Sequence, residues 1–146
     1  MAQGRLAQFA GILESLNMAK EGRGNLERAI QLGMNTAPPY VGLGVWHATM
    51  ISKGSLAAAV VGAKRSDALN PFKKALGQEP ENLRARLEYA TALLLDSRGN
   101  RTAAIARLQK VVRLTPADDW QRREQRPARA LPERMQQKCK SAGLLE

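Results

Sequence analysis

Residues 68–116 read ALNPFKKALGQEPENLRARLEYATALLLDSRGNRTAAIARLQKVVRLTP, and this stretch decides the fold. Ala68, Phe72, Ala75 and Pro80 recur 36 residues later as Ala104, Leu108, Val111 and Pro116. A small residue, a large apolar one a turn later, a third packing residue and a terminating proline describe one helix used twice. Self-similarity at a period of roughly 20 to 50 residues is the mark of a stacked repeat array. It names an architecture and no ligand.

The chain has 146 residues, a single-domain length that can bury a real core. Aromatics are only 4% of it while Ala and Leu are plentiful, so its contacts must be built from small and aliphatic side chains. That mixture suits helix packed on helix, whereas a β-sandwich would want more Val, Thr and Tyr. The expected fold class is all-α.

The formal net charge is +10, and Trp120–Lys140 alone carries seven basic against two acidic residues. Such a balance can attract nucleic acid, anionic lipid or an acidic partner. Aromatics are not interleaved with the basic residues, so a soluble, Arg-rich protein accounts for the charge as well. The single cysteine, Cys139, excludes an internal disulfide and a multi-cysteine zinc site. No run approaches the ~18 apolar residues of a membrane span. At the N-terminus Glu14 interrupts a short apolar stretch, which argues against a secretion signal. A cytoplasmic location is expected; a cleaved leader would instead make the protein exported or periplasmic.

Periodicity divides the chain into one domain, 1–146, with four parts. In 1–37, Leu6, Phe9, Leu13 and Leu16 give an amphipathic helix. Gly22 and Gly24 are expected to break it, and Asn25 to cap a shorter helix through Leu32, forming an αα-hairpin. Segment 38–80 is a repeat unit, opened by Pro38 and Pro39. Tyr40, Leu43, Gly44 and His47 share one stripe of its first helix. A mid-helix glycine costs ~1 kcal/mol against alanine, so Gly44 predicts close approach of a neighbouring helix; its counterpart in the next unit is Ala90. Residues near 50–64 form an apolar insertion, expected to cover an edge of the core. Ser66 or Asp67 then caps the helix carrying Phe72. Segment 81–116 is the clearest unit: a helix over Asn82–Leu95, a turn at 96–100 and a helix over Thr102–Leu114. Segment 117–146 is a basic cap and frayed tail, with a short helix near 118–126, a broken one near 129–138, and Trp120 lying as a lid on the last pair.

These residues resemble the tetratricopeptide repeat (TPR) family. One unit supplies Tyr89-Ala90, Leu93, Ala104, Leu108, Val111 and Pro116; the unit before it supplies Leu43-Gly44, His47, Ala68, Phe72, Ala75 and Pro80. The likeness covers 38–116 well and 5–38 weakly, and is similar to that of small bacterial TPR-like proteins of undefined role. The period is 36 rather than 34, one unit carries the insertion, and Val111 stands where a small residue is usual. The resemblance implies a right-handed stack of antiparallel helix hairpins, a TPR-like α-solenoid of about three hairpins plus a C-terminal capping helix. It further implies a concave ligand groove lined by the first helix of each pair: Val41, Val45, Ala48 and Thr49, then Arg84, Leu87, Thr91 and Leu94. Such grooves bind proteins or peptides. With one Arg and no Asn beside it, this one suits an apolar or amphipathic helix rather than a C-terminal carboxylate.

The expected function is therefore a protein- or peptide-binding scaffold or adaptor. The alternative is binding to nucleic acid or an acidic membrane surface through the Arg-rich C-terminal segment. No enzyme is expected: no nucleophile, base or metal set stands in mutual reach, and no cofactor or metal is implied. His47, the only histidine, sits at a packing position beside Trp46 and reads as a hydrogen-bonded core or groove residue. Asp96, Asp118 and Asp119 read as turn and helix-start residues, and Gly22-Arg23-Gly24 is no phosphate loop because no Lys-Ser/Thr follows.

Overall fold

The computed structural model describes residues 2–95, 101–116, 118–126 and 128–130, without the side chains of 2–10, 12 and 13. Regular structure among them is entirely helical: α1 (Ala2–Gln31), α2 (Ala37–Ser52), α3 (Ser55–Val61), α4 (Arg65–Ala68), α5 (Asn70–Gln78), α6 (Leu83–Leu95), α7 (Arg101–Arg113) and a helical stretch over 119–126. The turn expected at 96–100 and the broken helix expected near 129–138 fall wholly or mostly outside the described residues.

The N-terminal hairpin is not formed; α1 runs unbroken through Gly22 and Gly24. Two internal glycines weaken a helix but do not end it when its side is docked. Trp46 Nε1 on α2 donates to Ala19 O at 2.7 Å. Arg23 pairs with Glu27 at 2.7 Å and donates to Gly62 O at 3.1 Å. Leu26 fits over Gly42, where a β-carbon would stand 2.9 Å from Leu26 Cδ2. α1 ends instead at Gly33, whose φ of 88° allows a Schellman closure. Gly33 N bonds Ile30 O, and Met34 N bonds Ala29 O.

Pro38 and Pro39 open α2 as expected. Its first buried N–H, at Ala37, is satisfied from a distance: it donates to Glu79 Oε1 at 2.9 Å. Glu79 Oε2 accepts from Asn82 Nδ2 at 2.7 Å, and Asn82 Oδ1 caps α6 through Ala85 N at 2.8 Å. One carboxylate thus ties the start of α2, the end of α5 and the start of α6. These bonds to its ionised form, the Ala37 N–H first, hold the Glu79 carboxyl below its usual value.

The insertion becomes α3, which packs on α1 and α2 through Ala58 and Val61. Leu56 and Val60 stay exposed on its outer side. The helix expected from Ser66 onward is divided at Leu69 into α4 and α5, with Pro71 in the first turn of α5. Proline lacks the N–H and crowds the preceding turn, so the break falls there.

The core lies between α2, α5, α6 and α7. Phe72, Ala75, Ala104, Leu108 and Val111 are each fully buried, so the positions that recur in the sequence lie in the core both times. The Phe72 ring lies against Gly44 and stacks on Tyr89, 5.5 Å between centroids. Arg107 covers the Tyr89 ring at 4.0 Å. In the second unit Leu83, Ala90, Leu108 and Val111 form one cluster that Ala128 completes. Trp120 is not the lid on this cluster; it is 65% exposed. Gln125 closes the end instead, its Nε2 donating to Val111 O at 2.9 Å and Leu114 O at 2.6 Å. Asp118 caps the last helical stretch, accepting from Gln121 N at 2.7 Å.

Candidate functional site

Two surfaces on opposite flanks of α2 come into question. The first is the face implied by the repeat. Val41 and Ala48 on α2 are buried in one cluster with Ala85 and Ala92 on α6. Both pairs are spaced by seven residues, so they form the seam between the two helices. Buried there, Val41 and Ala48 cannot meet a ligand. Leu87 and Leu94 turn toward α7 and pack against the second cluster. The other four expected groove residues stay at the surface: Val45 and Thr49 half-buried on α2, Thr91 half-buried and Arg84 exposed on α6.

Heptad drift explains the split. Successive helical residues turn by about 100°, so the outward stripe of α6 is Arg84, Glu88, Thr91 and Leu95. Leu95, absent from the expected groove, is 44% exposed on that stripe. Arg84 is not free to grip a ligand carboxylate. It pairs with Glu88 at 2.8 Å and with Glu124 at 3.0 Å, which also fastens 119–126 to α6. Thr91 Oγ1 donates to Leu87 O at 3.0 Å.

The second surface is a cleft of about 370 Å³ where α1, α2, α4 and α5 meet. His47 stands in its wall, 3% exposed. Its Nδ1 accepts the Lys64 N–H at 3.3 Å, and its ring meets Trp46 edge-on, 4.9 Å between centroids. An accepting Nδ1 leaves the proton of the neutral ring on Nε2. Burial, and then the Arg23 guanidinium, lowers the His47 pKa against a smaller opposite pull from Asp67 and Glu27. Arg23 lies 5.3 Å from the centre of the Trp46 ring, and on the far rim Lys74 stands 5.9 Å from that of Tyr40.

No protein-family model matches the chain, nor does any curated protein or solved structure. The geometry therefore speaks alone. Among the described residues no three His, Cys, Asp or Glu side chains gather as a metal site, and no helix is long and apolar enough to cross a membrane.

The stripe Tyr40, Leu43 and His47 was legible as one side of α2, but not that it faces a cleft. Its other walls come from Arg23 and Glu27 on α1 and from Asp67 and Lys74 beyond the insertion. The sequence signal nearest to it is the Arg23/Glu27 spacing of four, an ion pair that implies an unbroken helix through Gly24.

Proposed function

We propose that the chain is a TPR-like helical scaffold that binds a protein or peptide segment on the open face of α2 and α6. The observation that carries this reading is the surface of Thr91 and Leu95 beside Val45 and Thr49, beyond the end where Glu124 closes over Arg84. Every other side of α6 is taken by α2, α5 and α7. The packing of Phe72 on Gly44, and of Leu108 in one cluster with Ala90, supports the solenoid reading, since each unit buries the same pair of positions.

Apolar Val45 and Leu95 flank the small polar Thr49 and Thr91, with charge confined to one end. That is the surface an amphipathic helix docks on, anchoring at steps of three and four. The test is capture of partners from the source cells by the wild-type chain and by Thr91→Arg, which places a long cation mid-face without touching the core. Partners held by the wild type and lost by the variant support the reading. Identical partner sets for both exclude it.

A second reading rests on the exposed cations Lys110 and Arg113 of α7 and Arg123, Arg126 and Arg129 beyond it. These fit an anionic polymer or membrane surface. Binding of generic DNA that weakens steeply between about 50 and 200 mM salt would favour it, and no binding at the lower salt rules out the nucleic-acid form.

A further inference from the structure

The His47 cleft holds two charged groups, exposed Lys74 and half-buried Asp67, that have no opposite partner among the described residues. Lys74 on α5 approaches the Tyr40 ring and pairs with no carboxylate among the described residues. Asp67 on α4 accepts from Ser66 Oγ at 3.0 Å and pairs with no cation among them. The other two charges in the cleft, Arg23 and Glu27, satisfy each other at 2.7 Å. The lining also includes the apolar Ile30, Leu43 and Pro71 and the neutral polar Gln31 and Asn70, and the buried His47 ring contributes one N–H donor.

From this placement we infer that the cleft binds a small zwitterion of the amino-acid class with an aliphatic side chain. Lys74 receives the carboxylate and Asp67 the ammonium, while the side chain lies on Ile30, Leu43 and Pro71. A cavity of about 370 Å³ falls at the small end of the range that holds metabolite-sized ligands. The charge pattern also selects against near relatives. A plain carboxylate leaves Asp67 uncompensated beside it, and a plain amine leaves Lys74 uncompensated, so each analogue loses attraction and meets a like charge. This site lies on the opposite flank of α2 from the peptide-binding face, so the two readings stand or fall separately.

Titration calorimetry on the full chain tests it with L-leucine and L-valine. Two leucine analogues complete the set: 4-methylpentanoate, which lacks the ammonium, and 3-methylbutylamine, which lacks the carboxylate. The expected result is saturable binding of an amino acid, with each analogue at least about tenfold weaker, the equivalent of about 1.4 kcal/mol for one charge-assisted contact. Lys74→Gln and Asp67→Asn should each weaken the amino acid by a similar factor. Neither side chain belongs to the core, and unchanged far-UV circular dichroism confirms that both variants fold. No saturable heat with either amino acid up to about 10 mM overturns the inference. So does equal affinity in wild type and both variants, or 4-methylpentanoate binding as tightly as leucine.

Discussion

Gly44 on α2 lies so close to Phe72 on α5 that a β-carbon at position 44 would stand 2.6 Å from both Cε2 and Cζ of the ring. Glycine here is a packing residue. At the positions that correspond in the sequence, Ala90 and Leu108 are both fully buried in one cluster, with the methyl group restored and the partner made smaller. Gly44→Ala should therefore destabilise the protein. Overpacking costs about 1–3 kcal/mol and the better helix propensity returns about 1, leaving a net loss of up to about 2 kcal/mol. Urea unfolding should show a lower midpoint at unchanged slope. Gly44→Ala with Phe72→Leu rebuilds the second unit's pair and should recover part of the loss. A double-mutant cycle with coupling under about 0.5 kcal/mol contradicts the exchange of volume between the two positions.

Gly22 and Gly24 behave in the opposite way. A β-carbon at either position meets nothing within 4 Å, and both lie inside α1. Gly22→Ala and Gly24→Ala should each stabilise by about 0.5–1 kcal/mol through the conformational entropy glycine loses in a helix. The readout is thermal unfolding followed at 222 nm. A loss of stability in either variant would mean that α1 is broken there after all.

These three glycines show how much of the fold the sequence carried. Gly44 stands in a helix whose stripe and register are clear, so a missing side chain there could only mean a close neighbour, and Phe72 is that neighbour. Gly22 and Gly24 look locally like a break because local propensity cannot weigh what Trp46, Leu26 and Arg23 contribute from α1 docking on α2 and α3. The expected groove was half legible for a similar reason. A first helix of a unit presents two apolar sides, one to its neighbour and one outward. Val41, Ala48, Leu87 and Leu94 could be assigned to either until the seam of Ala85 and Ala92 was placed. The cleft at His47 was least legible, since its walls come from segments separated by an insertion and by a helix that looked interrupted.

Gln125 is a second test of long-range closure. It is almost wholly buried, and its amide nitrogen donates to Val111 O and Leu114 O at the end of α7. Buried carbonyls without donors are costly, so Gln125→Ala should destabilise by about 1–3 kcal/mol. Gln125→Leu should recover only part of it, because filling the volume leaves Leu114 O without its donor, while Val111 O keeps the Leu114 N–H at 3.2 Å. A midpoint in urea within about 0.5 kcal/mol of wild type for the leucine variant would show that the fit of the side chain, and not its hydrogen bonds, closes the second unit.

Stability should also fall on mild acidification, through His47. Burial, then Arg23, lowers its pKa in the folded chain below the 6.5 of a free imidazole. Protonated Nδ1 could no longer accept the Lys64 N–H. The unfolded chain thus binds the proton more readily, and stability rises with pH where the two states differ in protonation. The His47 contribution is fully present above pH 6.5 and is lost as pH falls from there through the folded value. Glu79 acts in a separate window. Its carboxyl is held below the usual 4.5, so its contribution is present above that value and disappears only in stronger acid. Melting temperatures between about pH 8 and pH 5 should therefore decline in the wild type and flatten in His47→Gln, which keeps an acceptor for Lys64 without a titrating ring. A wild-type slope no steeper than that of the variant would show that the buried imidazole does not set the pH dependence.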